Sequence, residues 1–297
     1  MGLLDGAAAP THVIAHLSDP HLLFGDRLLG GHIDTAAQFR QCLERVEGSG
    51  VAFDAVVVSG DLTDTADPAA YALLRELLEP VVDRLGCDLV LTGGNHDERR
   101  PLASALYGLD TDAPQDRVTW VNGLRIVAVD TAVPGYHHGG LSDAQFDWLS
   151  AELAQPAPDG TLLVMHHPPI IYRSAVMQLL DFDEPDRLAR TLAGTDVRGI
   201  LSGHLHATTF GTLDGTPVFV AGGVSYVDDV GAPGDDLMAV DGAQSWNIIE
   251  VHPRQVVGTV VPVEQYKTWP ALPAGVMEYL DTVPPGERRE LLSKKRH

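Results

Sequence analysis

The chain has 297 residues and carries 41 acidic against 20 basic side chains, for a formal net charge of −21. That length accommodates a sizeable core in one large domain or two. The charge argues against binding to a nucleic-acid backbone, which needs clustered Lys and Arg, and it implies that any phosphate substrate meets positive charge supplied locally, as by bound cations. No run of eighteen apolar residues is present, so no integral membrane span is expected. The start, Met1-Gly2-Leu3-Leu4-Asp5, lacks the basic region and apolar stretch of a secretory signal. Cys42 and Cys87, the two cysteines, read as reduced thiols of a cytoplasmic protein.

In chain order, residues 1–11 read as a flexible leader, 12–262 as one folded domain and 263–297 as a C-terminal tail. Val13–Leu17 is an apolar strand. Residues 35–47 form a helix capped by Asp34, with Gly48 just past its end. Ala55–Ser59 is a second strand. Pro68 opens a helix from Ala69 to about Leu78, and Leu89–Leu91 is a third strand. This alternation of strand and helix predicts parallel pairing. Arg99 and Arg100 read as a solvated helix start. Val118–Val121 and Leu124–Val129 flank Asn122-Gly123, a hairpin signal that turns the sheet antiparallel. Ser142 caps a helix to about Leu153. Thr161–Val164 is a strand, 184–193 a helix and Gly199–Leu201 a strand. Four short strands follow without helices: Thr208–Leu213, Pro217–Ala221, Trp246–Val251 and Val256–Val261. Hairpins after βα units predict an α/β (α+β) chain folded as a two-sheet β-sandwich flanked by helices. The tail is Pro-rich, then basic at Arg288, Arg289, Lys294, Lys295 and Arg296, and reads as solvated.

Five blocks close or follow apolar runs: Ser18-Asp19-Pro20-His21, Gly60-Asp61-Leu62-Thr63-Asp64, Gly93-Gly94-Asn95-His96-Asp97, Met165-His166-His167-Pro168-Pro169 and Ser202-Gly203-His204-Leu205-His206. Any one of them alone is commonplace; Gly60-Asp61, for instance, suits a strand-ending turn on backbone grounds. Together they place seven oxygen and imidazole donors at strand ends, where open α/β sheets gather their chemistry. Asp19, His21, Asp61, Asn95, His166, His204 and His206 exceed the needs of one tetrahedral ion, and they suit two divalent ions roughly 3.5–4 Å apart. Asp61 is the expected bridge, with Asp19, His21 and His206 completing one ion and Asn95, His166 and His204 the other. Residues i and i+2 of an extended segment face the same side, which would pair Asp19 with His21 and His204 with His206. Donors of this kind suit Mn, Fe or Zn.

The ordered set Asp-x-His, Gly-Asp-x-x-Asp, Gly-Asn-His-Asp, His-His and Gly-His-x-His resembles that of the calcineurin-like metallophosphoesterases. Two further stretches, Asp130-Thr131-x-x-Pro134-Gly135 with His137-His138-Gly139, and Ala157-Pro158-Asp159-Gly160-Thr161 before the His-His block, are similar to bacterial class III cyclic-nucleotide phosphodiesterases. The resemblance spans roughly residues 12 to 262. It implies the αββα metallophosphoesterase architecture, a catalytic domain over 12–262, two ions (Fe and/or Mn, with Zn possible) and a homodimer. It also implies catalytic roles for His96, which contacts the phosphate or protonates the leaving group, and for Asp97, which orients His96.

The same resemblance implies substrate contacts from His21, Asn95, His96, His206 and His138. His137 and His138 sit in a Gly-rich loop, where a pocket role and plain exposure weigh evenly on the residues alone. Asp64 reads as a support for a ligand, and His167 as a neighbour pointing away from His166. His12, His16, His32, His252 and His297 read as structural or surface residues. Segment 170–187 leaves a ligand at a strand end, so it should pass the cleft mouth, with Tyr172 and Met177 offering a face to a base or sugar. The expected activity is hydrolysis of a small phosphodiester, first of all a 3′,5′-cyclic nucleotide. A glycerophosphodiester or broad phosphomonoester substrate is the alternative on the same site, and an inactive scaffold is the alternative of another class.

Overall fold

The structure is a computed structural model that describes residues 9–233 and 237–294; most of the expected leader, and Lys295, Arg296 and His297, lie outside the described residues. The strands are β1 His12–Leu17, β2 Ala55–Ser59, β3 Asp88–Thr92, β4 Arg117–Val121, β5 Leu124–Val129, β6 Thr161–Met165 and β7 Val197–Ser202. They continue as β8 Thr209–Leu213, β9 Thr216–Val220, β10 Val227–Asp228, β11 Ala239–Val240, β12 Ser245–His252 and β13 Gln255–Pro262. The helices are α1 Thr35–Glu47, α2 Pro68–Leu85, α3 Arg99–Tyr107, α4 Asp143–Glu152, α5 Pro185–Leu192, α6 Val276–Thr282 and α7 Pro285–Ser293.

Two mixed sheets form the centre, in the orders β13-β12-β1-β2-β3 and β4-β5-β6-β7-β9-β8. The strands β1, β2 and β3 pair in parallel, while β4 and β5 form the antiparallel hairpin. Asn122 and Gly123 supply its turn with φ of 46° and 100°, the left-handed pair that such a turn requires. Inner-face residues such as Ile14, Val57, Ile126, Val164 and Ile249 share one core between the sheets. The outer face of the first sheet packs on α1 and α2 through Phe39, Leu43, Leu74 and Leu78, and that of the second on α4 and α5 through Phe146, Leu149 and Leu188. A strand covered on both faces needs apolar residues on both, and all five residues of β2 are buried. The layers are therefore helix, sheet, sheet, helix.

Three expectations about elements are corrected. Helix α2 runs to Leu85 with Pro80 inside it, past the expected stop near Leu78. Pro in a helix interior costs about 3 kcal/mol, whereas burying a Val side chain contributes roughly 1.5 kcal/mol or more; Val81 and Val82 are both buried and offset it. Arg99 is not solvated: its Nε donates to Asp130 Oδ2 at 3.1 Å and its Nη2 to the Ala132 carbonyl at 2.7 Å. Arg100 is the exposed member, paired with Asp110 and Asp112. The tail carries two short helices, α6 with Leu280 buried and α7 with no buried residue.

Candidate active site

The ligand candidates leave the strand ends in an unusual backbone conformation. Asp19, His21, Asp61, His204 and His206 all have positive φ, between 43° and 69°, a region that costs a non-Gly residue on the order of 1–3 kcal/mol and persists only where its surroundings hold it. The expected extended geometry for Asp19-x-His21 and His204-x-His206 is thus corrected: these residues face one another because each segment coils through alternating left-handed residues. Narrow turns from Gly203 O to Leu205 N–H and from Leu205 O to Ala207 N–H, at 2.8 and 2.6 Å, fix the second segment. Glycine makes room for the coil. A Cβ on Gly60 would lie 2.3 Å from His166 Nδ1, and one on Gly94 2.2 Å from Asp61 Oδ1.

Each of the four histidines has one ring nitrogen committed away from the centre. His166 Nδ1–H donates to the Ser59 carbonyl at 2.8 Å, His204 Nε2–H to the Leu180 carbonyl at 3.0 Å and His206 Nδ1–H to the Tyr226 carbonyl at 3.1 Å. His21 Nδ1 lies 3.1 Å from Asp64 Oδ1. A carbonyl can only accept, so the opposite nitrogen is the one available for ligation, the arrangement that orients imidazoles on metals. Asp61 Oδ2 sits between the two halves, 3.2 Å from His21 Nε2 and 3.3 Å from His166 Nε2. On one side, donor atoms of Asp19, His21, Asp61 and His206 lie within 4.8 Å of one another. On the other, His166 Nε2 is 3.1 Å from Asn95 Oδ1 and its ring centroid is 5.2 Å from that of His204. His167 comes as close to His166 and His204, but both its nitrogens are engaged, Nδ1 with Thr131 Oγ1 at 2.8 Å and Nε2 with the His137 carbonyl at 3.2 Å. It has no free lone pair to offer.

Electrostatics fit a cation site. Burial alone would lower His21 and His166, but Asp61 and Asp19 override it, with Asp64 adding to the pull on His21, and lift them to about 10 and about 9. Burial raises Asp61, yet the same two imidazoles hold it well below the usual carboxylate range. His204 and His206 are driven down by burial, to about 3 and about 4. The carboxylates thus attract two positive charges to this spot, and without cations protons on His21 and His166 provide them. The His and Asp donor set fits a dinuclear metal centre.

Around this centre the roles redistribute. The orienting role expected of Asp97 is corrected: its carboxylate accepts from the Leu62, Thr63 and Gly94 N–H groups and from Tyr71 Oη at 2.8 to 3.2 Å, so it ties the Asp61 loop to the Asn95 loop. His96 instead donates from Nδ1 to the Asp64 carbonyl at 3.0 Å, and its backbone N–H donates to Asp61 Oδ1 at 2.9 Å. Asp64 therefore steadies both His21 and His96. The expected substrate contact His138 is also corrected, since it turns toward Asp183 and Tyr136. Its neighbour His137 faces the site, accepting from Asn95 Nδ2 at 3.0 Å, with its ring 5.4 Å from that of His96. Arg99 anchors the start of this loop through Asp130 and Ala132. Tyr172 and Met177 are 5% and 6% exposed and their side chains pack in the core, so neither offers an open face on which a base or sugar could stack. Tyr226, which no motif marks, stacks on His206 with centroids 3.9 Å apart. A burial-lowered His16, at about 3, sits 2.9 Å from Ser59 Oγ beneath His166.

A family model for the calcineurin-like phosphoesterases matches residues 12–208. The chain is 44% identical over 255 residues, 86% of it and 80% of the relative, to a cAMP/cGMP dual specificity phosphodiesterase of Mycobacterium tuberculosis. It is 41% identical over 260 residues, 87% of it and 86% of the relative, to a probable cyclic nucleotide phosphodiesterase of Rhodococcus erythropolis. Among solved structures, a dimetal phosphatase from Danio rerio superposes with a TM-score of 0.63 over 86% of this chain and 98% of that one, at 14% identity. No described helix is long and apolar enough to cross a membrane. With its donor set at the strand ends of a helix-flanked sandwich, the chain belongs to the calcineurin-like phosphoesterase family and is a metallophosphoesterase.

Proposed function

We propose that this protein hydrolyses 3′,5′-cyclic nucleotides, and that Asp19, His21, Asp61 and His206 hold one divalent ion while Asp61, Asn95, His166 and His204 hold a second, Fe or Mn being the preferred metals. The observation that carries this reading is Asp61 Oδ2, a single oxygen reached by both imidazole groups. The activity named for the mycobacterial relative supports the substrate. When bound, two such ions supply Lewis acidity toward phosphate oxygens and make water a nucleophile near neutral pH.

The protein's own groups supply the rest. Imidazoles fixed through Ser59, Leu180, Tyr226 and Asp64 hold the ligand shell rigid, so little reorganisation accompanies reaction. His96, one-third exposed and held from Nδ1 by Asp64, presents Nε2 toward the cleft, where it contacts a phosphate oxygen or gives a proton to the departing alkoxide. His137 fixes the Asn95 amide so that its oxygen points at His166. Steady-state rates of the Mn-loaded protein on cyclic AMP, a glycerophosphodiester and a simple aryl phosphate diester test the reading. The cyclic nucleotide should give the highest kcat/KM of the three. A glycerophosphodiester turned over faster than cyclic AMP would replace it as substrate.

A further inference from the structure

Beside the ligand cluster lies a cleft of about 320 Å³, with Tyr172 and Arg173 on one wall and Asp228, Asp229, Val230 and Met238 on the other. Both walls are tied to the metal centre. One belongs to the segment whose Leu180 carbonyl holds His204, and Gln178 Nε2 braces that segment on the Tyr172 carbonyl at 2.7 Å. The other begins directly after Tyr226, which stacks on His206. Asp228 also lies close enough to Asp19 to feel it: burial first, then repulsion from Asp19, push its carboxyl up to about 6.

The chemistry of the walls selects the occupant. Tyr172 is 5% exposed, and its hydroxyl has no hydrogen-bond partner among the described residues. Burial and the facing Asp228 keep it protonated, so it can donate. The carboxylates of Asp228 and Asp229 repel a phosphate and call for N–H or O–H donors. Arg173 is exposed and without an ion-pair partner among the described residues, and a guanidinium plane stacks on flat heterocycles. A cleft of this size would be left largely empty by a glycerol group, whereas small-molecule sites are mostly filled by their ligands.

We propose that this cleft takes the nucleoside part of the substrate, whose exocyclic amine or ribose hydroxyl donates to Asp228, with Tyr172 Oη donating to a ring nitrogen and Arg173 covering the ring. The inference rests on the cyclic-nucleotide reading and adds the groups that choose the base.

Two variants test it on the full chain loaded with Mn. Asp228→Asn and Tyr172→Phe change one polar group each and leave the Tyr172 ring in the core. The ratio of kcat/KM for cyclic AMP to that for bis(p-nitrophenyl) phosphate should fall about tenfold in each variant, the usual scale for one hydrogen bond to a ligand. Adenosine, titrated by calorimetry, should bind the wild type and bind each variant about tenfold more weakly. An unchanged ratio and unchanged adenosine affinity would overturn the inference while leaving the phosphodiesterase reading intact. Equal losses on both substrates, or a lowered melting temperature that accounts for the loss, would likewise overturn it by reducing these residues to a structural role. Failure of the wild type to turn over cyclic AMP while it binds adenosine would instead overturn the substrate reading alone.

Discussion

The residues around Asp61 and the wall around Tyr172 are joined through the His204–Leu180 contact, yet different forces hold them. Around Asp61 the ligand candidates are buried except the half-buried Asn95, five of them are strained at positive φ, and every imidazole is fixed by a second hydrogen bond. Around Tyr172 the wall is a loop, a 3₁₀ turn and the two-residue strands β10 and β11, with Ile171 and Leu179 88% and 80% exposed. A rigid, strained centre can hold metal geometry. A looser wall can change its base preference without disturbing the chemistry.

If the centre acts as one unit, removing its shared atom should have the largest effect. Asp61→Ala is expected to release both ions and to lower kcat/KM by on the order of 10⁴-fold or more, since several kcal/mol of charge stabilisation go with them. Retention of one ion per chain in this variant would show that the halves are independent. His96→Ala should lower kcat about 10²–10⁴-fold with metal content intact, the range of a positioned acid or base; loss of metal would move His96 into the ligand shell. Asp64→Asn probes the support beneath them. The substitution removes the carboxylate beside His21 Nδ1 but leaves the backbone carbonyl that holds His96, and it should cost about 10–100-fold in metal affinity or activity, as such orienting partners do. Asp97→Asn, which loosens the loops, should instead lower the melting temperature.

A smaller effect separates the metal-free protein from the loaded one. His21 and His166 are raised in the folded state, so their contribution to stability is complete below about 6.5 and is lost as pH rises toward about 9 and about 10. The melting temperature of the chelated protein should therefore fall between pH 7 and pH 9.5. In the loaded protein these imidazoles must be deprotonated to ligate, so cation affinity rises over the same interval and the fall should vanish or reverse. Parallel declines in both forms would contradict the assignment of these two histidines.

The same contrast explains what could be read from sequence. Metal ligation tolerates few side-chain types, so the seven candidate donors Asp19, His21, Asp61, Asn95, His166, His204 and His206 stand out in order along the chain, and apolar strands covered on both faces made the sandwich legible. What escaped depends on three-dimensional direction. Nothing in His137-His138 says which ring turns inward; the hydrogen bond from Asn95 decides it. Tyr226 acts through its carbonyl and its ring face, roles open to many residues. Asp97 next to His96 looked like its partner, but its carboxylate points back into the Thr63 and Tyr71 contacts. Helix α2 outran Pro80 because burial further along, at Val81 and Val82, outweighed the local signal.

Metal content tests the central claim most directly. Elemental analysis of the protein after loading with Mn and desalting should plateau at about two ions per chain. A plateau at one would contradict the shared centre at Asp61.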